Sequence, residues 1–279
     1  MSTPGLDTDP KEQSEEQRAS LETRIFINND GKHVERRPGN LVVKYGRHVK
    51  ASEREALAYA GSLNLRVPRL HDDLPNLNTG TRTDEHGDSG ICIWMDYVDG
   101  DILQDVWPSM TAEQKLDIAI QLRDILSTMR QQTSTTGMIE ACGGETLSDR
   151  RVYNSLRGGP FADEAAFNSW QIESLFQATP TLVRDAVARG LNQCSSHHRI
   201  VFTHGDLVPH NIIVKDNRIL ALIDWEYAGW YPEHWELVKF LSGATPYRDW
   251  LNLAEHIFPG QYPDEIVAFE AMRRWQNPF

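Results

Sequence analysis

The chain opens on a polar stretch. Residues 1–20 are mostly Pro, Gly, Ser, Asp, Glu and Gln, offer almost nothing to bury, and are expected to form a disordered tail. The apolar run Ile25-Phe26-Ile27 then reads as a short strand, closed by the turn residues Asn28 to Gly31. A second turn at Pro38-Gly39-Asn40 precedes the β-prone run Leu41-Val42-Val43-Lys44-Tyr45. Together these predict a small antiparallel meander. Over residues 51–63 the apolar spacing becomes helical through Ala56, Leu57, Ala60 and Leu63, with Ser52 as a candidate N-cap, and Val67-Pro68 ends the pattern. Residues 72–90, rich in Asp, Asn, Thr and Gly, read as a loop. Ile91 to Val98 returns to strand, and Asp99-Gly100-Asp101 marks a candidate domain boundary.

Beyond that turn the pattern is mainly helical. Thr111 to Gln114 spells a capping box, and Leu116, Ala119, Leu122, Leu126 and Met129 mark one face of the helix it opens. Residues 133–162 look irregular, 163–192 helical, and 233–275 helical with breaks near Pro246, Pro259 and Pro263. Between them lie short strand runs at Ile200–Phe202, Ile212–Val214 and Ile219–Ile223. No internal repeat or low-complexity tract is visible. The expectation is an α+β chain with a small β-rich N-lobe over residues 21–98 and a larger, mainly helical C-lobe over residues 99–279.

Composition narrows the class. Of 279 residues, 28 are Lys or Arg and 40 are Asp or Glu, a net charge of −12. That field repels phosphate backbones and anionic bilayers, so neither nucleic acid nor a membrane surface is an expected partner. A cationic ligand fits the charge, and so does plain solubility. Cys92, Cys142 and Cys194 are odd in number and widely spaced, which fits neither a disulfide framework nor a cysteine zinc site. The N-terminus lacks an apolar signal segment, and no stretch reaches the length a membrane helix needs. A soluble cytoplasmic protein is expected. The His197-His198 pair reads as surface loop, with no third metal ligand near it in sequence.

The informative segment runs from Val201-Phe202-Thr203-His204-Gly205-Asp206 through Asn211 to Ile223-Asp224-Trp225-Glu226. Asp206 follows a β-prone triplet, Asn211 precedes the next strand, and Asp224 ends the strand after that. A hairpin folded this way brings three oxygen-bearing side chains to one end. Oxygen donors on loops, with no sulfur or imidazole required, suit Mg²⁺.

The string H-G-D-x4-N followed by I-D-W-E resembles the aminoglycoside phosphotransferase family of small-molecule kinases. It follows the protein-kinase spacing H-R-D-x4-N then D-F-G, with Asn211 thirteen residues before Asp224. The resemblance spans about residues 22–275. It is nearest to the fungal branch, on Val42-Val43-Lys44-Tyr45-Gly46, Glu55-Ala56, Val67-Pro68 and the Gly159-Pro160-Phe161 element. It implies a two-lobed, protein-kinase-like fold and ATP-dependent transfer of the γ-phosphoryl to a hydroxyl of a small-molecule acceptor. It also implies roles. Asp206 is the catalytic base and His204 braces the loop. Asn211 and Asp224 hold Mg²⁺, and Lys44 touches the nucleotide phosphates. Glu55 pairs with Lys44, with its neighbour Glu53 an open alternative. Met95, Asp96 and Tyr97 form the hinge that offers backbone groups to adenine.

Three departures stand beside the resemblance. No glycine-rich loop precedes Lys44, position 208 is Val where protein kinases carry Lys, and no phosphorylatable activation loop follows Asp224. The first motivates a second reading, a catalytically inactive pseudokinase that binds nucleotide or serves as a scaffold. A third reading is a metal-dependent hydrolase using His204, Asp206, His210 and Asp224. The region 133–170, with Asp149-Arg150-Arg151 and Tyr153-Asn154, lies where the family builds part of its acceptor site. Acids of the last third (Glu226, Glu233, Glu236, Asp249, Glu255, Asp264, Glu265) read either as a pocket for a cationic acceptor or as solvated helix faces.

Overall fold

The computed structural model describes residues 24–29, 31–71, 81–83, 89–150, 155–194, 197–260, 262–273 and 275. The tail at 1–20 and most of the 72–90 loop therefore lie outside the described residues. The chain divides into two compact units. One takes the described residues up to Val49 together with Leu70–Tyr97; the other takes Lys50–Arg69 and those from Val98 onward. This division departs from the sequence boundary at one point, because the helix over residues 51–62 groups with the C-terminal unit.

The first unit is one antiparallel sheet. Its strands are β1 (Arg24–Asn29), β2 (Lys32–Arg37), β3 (Leu41–Gly46), β4 (Thr81–Thr83) and β5 (Ser89–Asp96), in the order β1-β2-β3-β5-β4. Alternation along β3 sorts its residues between two faces. Val43 and Tyr45 pair with Trp94 and Cys92 and form the core of one face. Lys44 pairs with Val34 and Ile93 and takes the other, only 4% exposed. The Tyr45 hydroxyl donates to Glu35 Oε1 at 2.6 Å.

The second unit opens with α1 (Ala51–Ser62), followed by β6 (Asp101–Ile102), α2 (Leu103–Val106) and α3 (Ala112–Gln131). The capping box at Thr111 forms: Thr111 Oγ1 accepts from the Gln114 N–H, and Gln114 Oε1 accepts from the Thr111 N–H. The buried face of α3 is Ile118, Ala119, Leu122, Ile125, Leu126 and Met129, whereas Leu116 is exposed. The region read as irregular carries short strands: β7 (Glu140–Ala141), β8 (Leu147–Arg150) and β9 (Ser155–Gly158). Backbone pairing across β8–β9 supplies the order that Gly- and Thr-rich composition did not suggest.

Helices α4 (Glu164–Glu173) and α5 (Thr181–Gln193) follow. Next come β10 (Ile200–Thr203), β11 (Ile212–Lys215), β12 (Arg218–Leu222) and β13 (Gly229–Pro232). The chain closes with α6 (Trp235–Ser242), α7 (Arg248–Leu251), α8 (Ala254–Ile257) and α9 (Pro263–Arg273). The expected break near Pro259 and Pro263 falls between Ile257 and Pro263, and Pro263 opens α9 at a first-turn position where proline loses no intrahelical bond. The core of this unit gathers Ile139, Leu147, Phe167, Leu191, Tyr231, Trp235, Phe269 and Met272. Trp235 sits between Phe167 and Phe269 in edge contacts of 4.9 and 5.0 Å.

Candidate active site

Two small antiparallel pairings set the functional loop. β10 pairs with β13, and β11 pairs with both β12 and β6. The β11–β12 turn is Asp216-Asn217, both at positive φ (50° and 59°), which suits a tight two-residue hairpin. Ile212 therefore lies opposite Leu222, so Asn211, one residue before that pair, and Asp224, two residues after it, sit at the same end of the hairpin. The bond from the Ile223 N–H to the Asn211 carbonyl, 2.9 Å, ties the two strand ends together.

The turn at Asp206 is built from inside. Gly205 has φ +79°, and a Cβ there would meet the Tyr227 carbonyl at 2.7 Å, so only glycine fits. Glu236 reaches back from α6 and accepts the His204 N–H (2.6 Å) on one oxygen and the Gly205 N–H (3.1 Å) on the other. Burial pushes the Glu236 carboxyl up; the neighbouring His204 and the two backbone donors pull it back only in part. His204 Nδ1 accepts the Asp206 N–H at 3.2 Å, so the ring proton lies on Nε2, which donates to the Ile223 carbonyl at 3.1 Å. Both nitrogens are engaged within the loop. His204 keeps no lone pair for a metal, which removes the metal-dependent hydrolase reading that needed it.

Asp206 is 5% exposed. Its Oδ2 accepts from Asn211 Nδ2 (3.0 Å) and from Arg150 Nη1 (2.9 Å), while no donor among the described residues reaches Oδ1. Asn211 Nδ2 also donates to the Asp206 carbonyl, which spends both amide protons on Asp206 and leaves the amide oxygen as acceptor. Asp224 adopts a left-handed φ of +64°. Carboxylate oxygens of Asp224, Glu226 and Glu53 lie within 4.8 Å of one another. This all-oxygen donor set suits a hard cation such as Mg²⁺.

The glutamates of α1 differ. Glu53 is buried at 3% exposure, whereas Glu55 is exposed and pairs with Arg54 at 2.8 Å. On the separate sheet unit, Lys44 is buried on β3. Where the sequence led to the expectation of a hinge, Met95 bridges to Leu70, and Asp96 Oδ1 meets His71 Nε2 at 2.5 Å. The Tyr97 N–H is spent on the Asn40 carbonyl at 2.7 Å, and the Tyr97 ring lies 3.7 Å from the Arg36 guanidinium. Tyr97 thus has no N–H to give to adenine.

Arg150 is the residue that motif reading missed. It was visible only as part of an unassigned Asp-Arg-Arg run, and β8 brings it to Asp206. Lys239 anchors that strand, donating at 2.7 Å to both Asp149 Oδ1 and the Arg150 carbonyl. Arg151, Tyr153 and Asn154 lie outside the described residues. The acids of the last third divide: Glu236 and Glu265 are buried, whereas Asp249, Glu255 and Asp264 lie exposed, as expected of solvated helix faces. Glu233 pairs with Arg199 (2.8 Å), Asp249 with Lys115 (2.8 Å), and Glu265 faces His198 (3.5 Å).

The comparisons with known proteins bear on the family and the fold. The phosphotransferase enzyme family model matches residues 27–270, and the chain belongs to that family. It is a phosphotransferase of the small-molecule kinase class, with the mixed α+β architecture of that class. Among solved structures, the ternary complex of a thermostable mutant of aminoglycoside phosphotransferase APH(4)-Ia with ADP and hygromycin B aligns over 90% of this chain and 83% of its own. The TM-score is 0.61 at 13% identity. ADP-bound aminoglycoside phosphotransferase APH(2'')-Ib aligns over 91% and 80%, with TM-score 0.58 and 12% identity. The macrolide 2'-phosphotransferase MphH from Brachybacterium faecium aligns over 91% and 85%, with TM-score 0.55 and 18% identity. No curated protein matches the chain in sequence at a significant level. Among the described residues, no helix is long and apolar enough to cross a membrane.

Proposed function

We propose that this protein transfers the γ-phosphoryl of ATP to a hydroxyl of a small molecule. The observation that carries this reading is the state of Asp206: one carboxylate oxygen is held by Asn211 and Arg150, and the other is left to receive a proton. As the acceptor oxygen bonds to the γ-phosphorus, its proton passes to Asp206 Oδ1, and the bond to the β–γ bridging oxygen breaks to release ADP. Arg150 places a positive charge beside the carboxylate. It supplies the cation that the catalytic segment itself lacks, since Val208 stands where protein kinases carry Lys.

Asn211 and Asp224 are the proposed Mg²⁺ ligands, with Glu226 and Glu53 close to Asp224. When bound, Mg²⁺ would align the nucleotide phosphates and neutralise their charge. Asn211 is held for that task because both of its amide protons are used on Asp206. Lys44 is the proposed phosphate contact, and Met95 and Asp96 are the proposed adenine-facing hinge. Of the two glutamates weighed for the acidic role on α1, burial beside Asp224 favours Glu53. Solved neighbours are complexes with ADP or AMP-PNP and hygromycin B, which supports ATP as co-substrate and a polyhydroxylated amine as one acceptor class to try. The division into a nucleotide-binding region over 21–98 and a catalytic region over 99–279, and residence in the cytoplasm, complete the proposal.

The test is ADP release with Mg-ATP and a panel of aminoglycosides, macrolides and simpler amino alcohols, with phosphorylated product confirmed by mass. Turnover with one acceptor that disappears in Asp206→Ala is expected. Nucleotide binding without transfer to any acceptor would favour the pseudokinase reading. Equal turnover by Asp206→Ala would overturn the base assignment.

A further inference from the structure

A second polar cluster lies in the C-terminal unit, built from residues far apart in sequence. Glu164 begins α4, His198 precedes β10, His234 precedes α6, and Glu265 sits in the first turn of α9. The cluster is dry: the side chains of Glu164, His198, His234 and Glu265 are 3%, 10%, 2% and 8% exposed.

We infer that Glu164, His198 and His234 form a binding site for a divalent cation of the zinc class, with Glu265 steadying His198 from behind. Donor atoms of the three lie within 4.8 Å of one another. Glu164 Oε1 is 2.9 Å from His198 Nδ1 and 3.7 Å from His234 Nδ1. Metal–ligand bonds of about 2.0–2.1 Å in a tetrahedron require ligand pairs about 3.3–3.4 Å apart. The two measured separations straddle that value, so a cation enters with small side-chain shifts.

Independent features point to a ligand here. His234 is 1% exposed, yet neither ring nitrogen has a hydrogen-bond partner. A buried imidazole with nothing on either nitrogen forfeits bonds it would make in water, and a coordinated cation removes part of that cost. Glu164 is aimed at the site. Its Oε2 accepts the His198 backbone N–H at 3.2 Å, leaving Oε1 toward the two rings. The outer partner is also present, since His198 Nε2 faces Glu265 Oε1 at 3.5 Å. That carboxylate–imidazole–metal relay commonly fixes a ligating histidine. The opposing charge is Arg130, whose Nη2 donates to the Tyr262 hydroxyl at 2.7 Å and lies 3.7 Å from Glu233, while its buried Nη1 has no hydrogen-bond partner. A site of three protein ligands leaves the fourth position to a water.

The experiment is metal analysis of the full chain, dialysed against zinc and then against metal-free buffer, beside cobalt titration followed by the visible absorption of tetrahedral cobalt. The expected result is about one retained zinc per chain and a cobalt spectrum with nitrogen and oxygen ligands. Saturating zinc is expected to raise Tm by about 5–10 °C. Glu164→Gln and His234→Ala should lose all three signals, while Asp224→Ala keeps them, which separates this site from the phosphoryl-transfer site. Should His234→Ala fail to fold, His198→Gln serves in its place. A wild-type chain that binds neither metal in large excess, or variants that bind as much as the wild type, would overturn the inference.

Discussion

The Asp206 loop and the histidine–glutamate cluster are both buried, polar and confined to the C-terminal unit, yet they are assembled in opposite ways. The loop comes from one continuous stretch, and its polar groups answer one another: Asp206 to His204, His204 to Ile223, Asn211 to Asp206. The cluster is gathered from four elements, and His234 at its centre has no partner on either nitrogen. A loop satisfied by its own segment needs only its hairpin to be right. A cluster drawn from separate helices needs the whole core to be right, and it leaves room for something that does not belong to the chain.

Residues outside the loop qualify that contrast, and Arg150 pairs with Asp206 from β8. Glu236 caps two of the loop's N–H groups from α6. Removing it should therefore have the largest effect on stability: Glu236→Ala leaves two buried donors unsatisfied, at about 1–3 kcal/mol each. Chemical denaturation should show a loss of that order, with turnover falling alongside. An unchanged denaturation midpoint would mean that the loop stands without α6.

Gly205→Ala sharpens the local half of the contrast. The substitution forces a side chain into left-handed backbone against the Tyr227 carbonyl, at a cost of about 1–3 kcal/mol. Its turnover should fall more than its melting temperature suggests, because the strain lies one residue from Asp206.

The loop was legible in sequence because hairpin geometry depends on spacing, and spacing is printed in the chain. The strands around Asn211 and Asp224, the capping box at Thr111 and the meander through Lys44 were readable for the same reason. Arg150 was not, because a four-residue strand in a Gly-rich stretch has no periodicity to detect, and its approach to Asp206 depends on Lys239 holding β8. His198 was read as surface because its ligand partners lie far along the chain. Leu116 was placed on the buried face of α3 because apolar character was counted without the tertiary context that chose Ile118.

A smaller effect separates the glutamates of α1. Glu53→Gln is expected to raise KM for ATP about tenfold, a difference of about 1.4 kcal/mol, while Glu55→Gln leaves it unchanged. The reverse order would restore Glu55 to the role that the sequence motif gave it.

The smallest effect is a chemical one. Burial, then Glu55 and Glu140, push the Cys142 thiol up to about 12; burial and the acids around Cys194, led by Glu265, push that thiol up to about 11. Both should resist alkylation at pH 8 in the native protein and react on unfolding, as read by mass spectrometry. Rapid native labelling of Cys194 would show that the cluster beside it opens to solvent.

The most direct measurement is the melting temperature of the wild type and of Asp224→Ala, each with ATP, with Mg²⁺ and with both. A nucleotide at a hundred times its dissociation constant adds about 2.7 kcal/mol, which for a chain of this size is about 5–10 °C. If the Asp206 loop is a phosphoryl-transfer site, the wild type should show that rise only with ATP and Mg²⁺ together, and Asp224→Ala should lose it. No rise in the wild type, or an equal rise in Asp224→Ala, would contradict the assignment of this loop as the metal–nucleotide site.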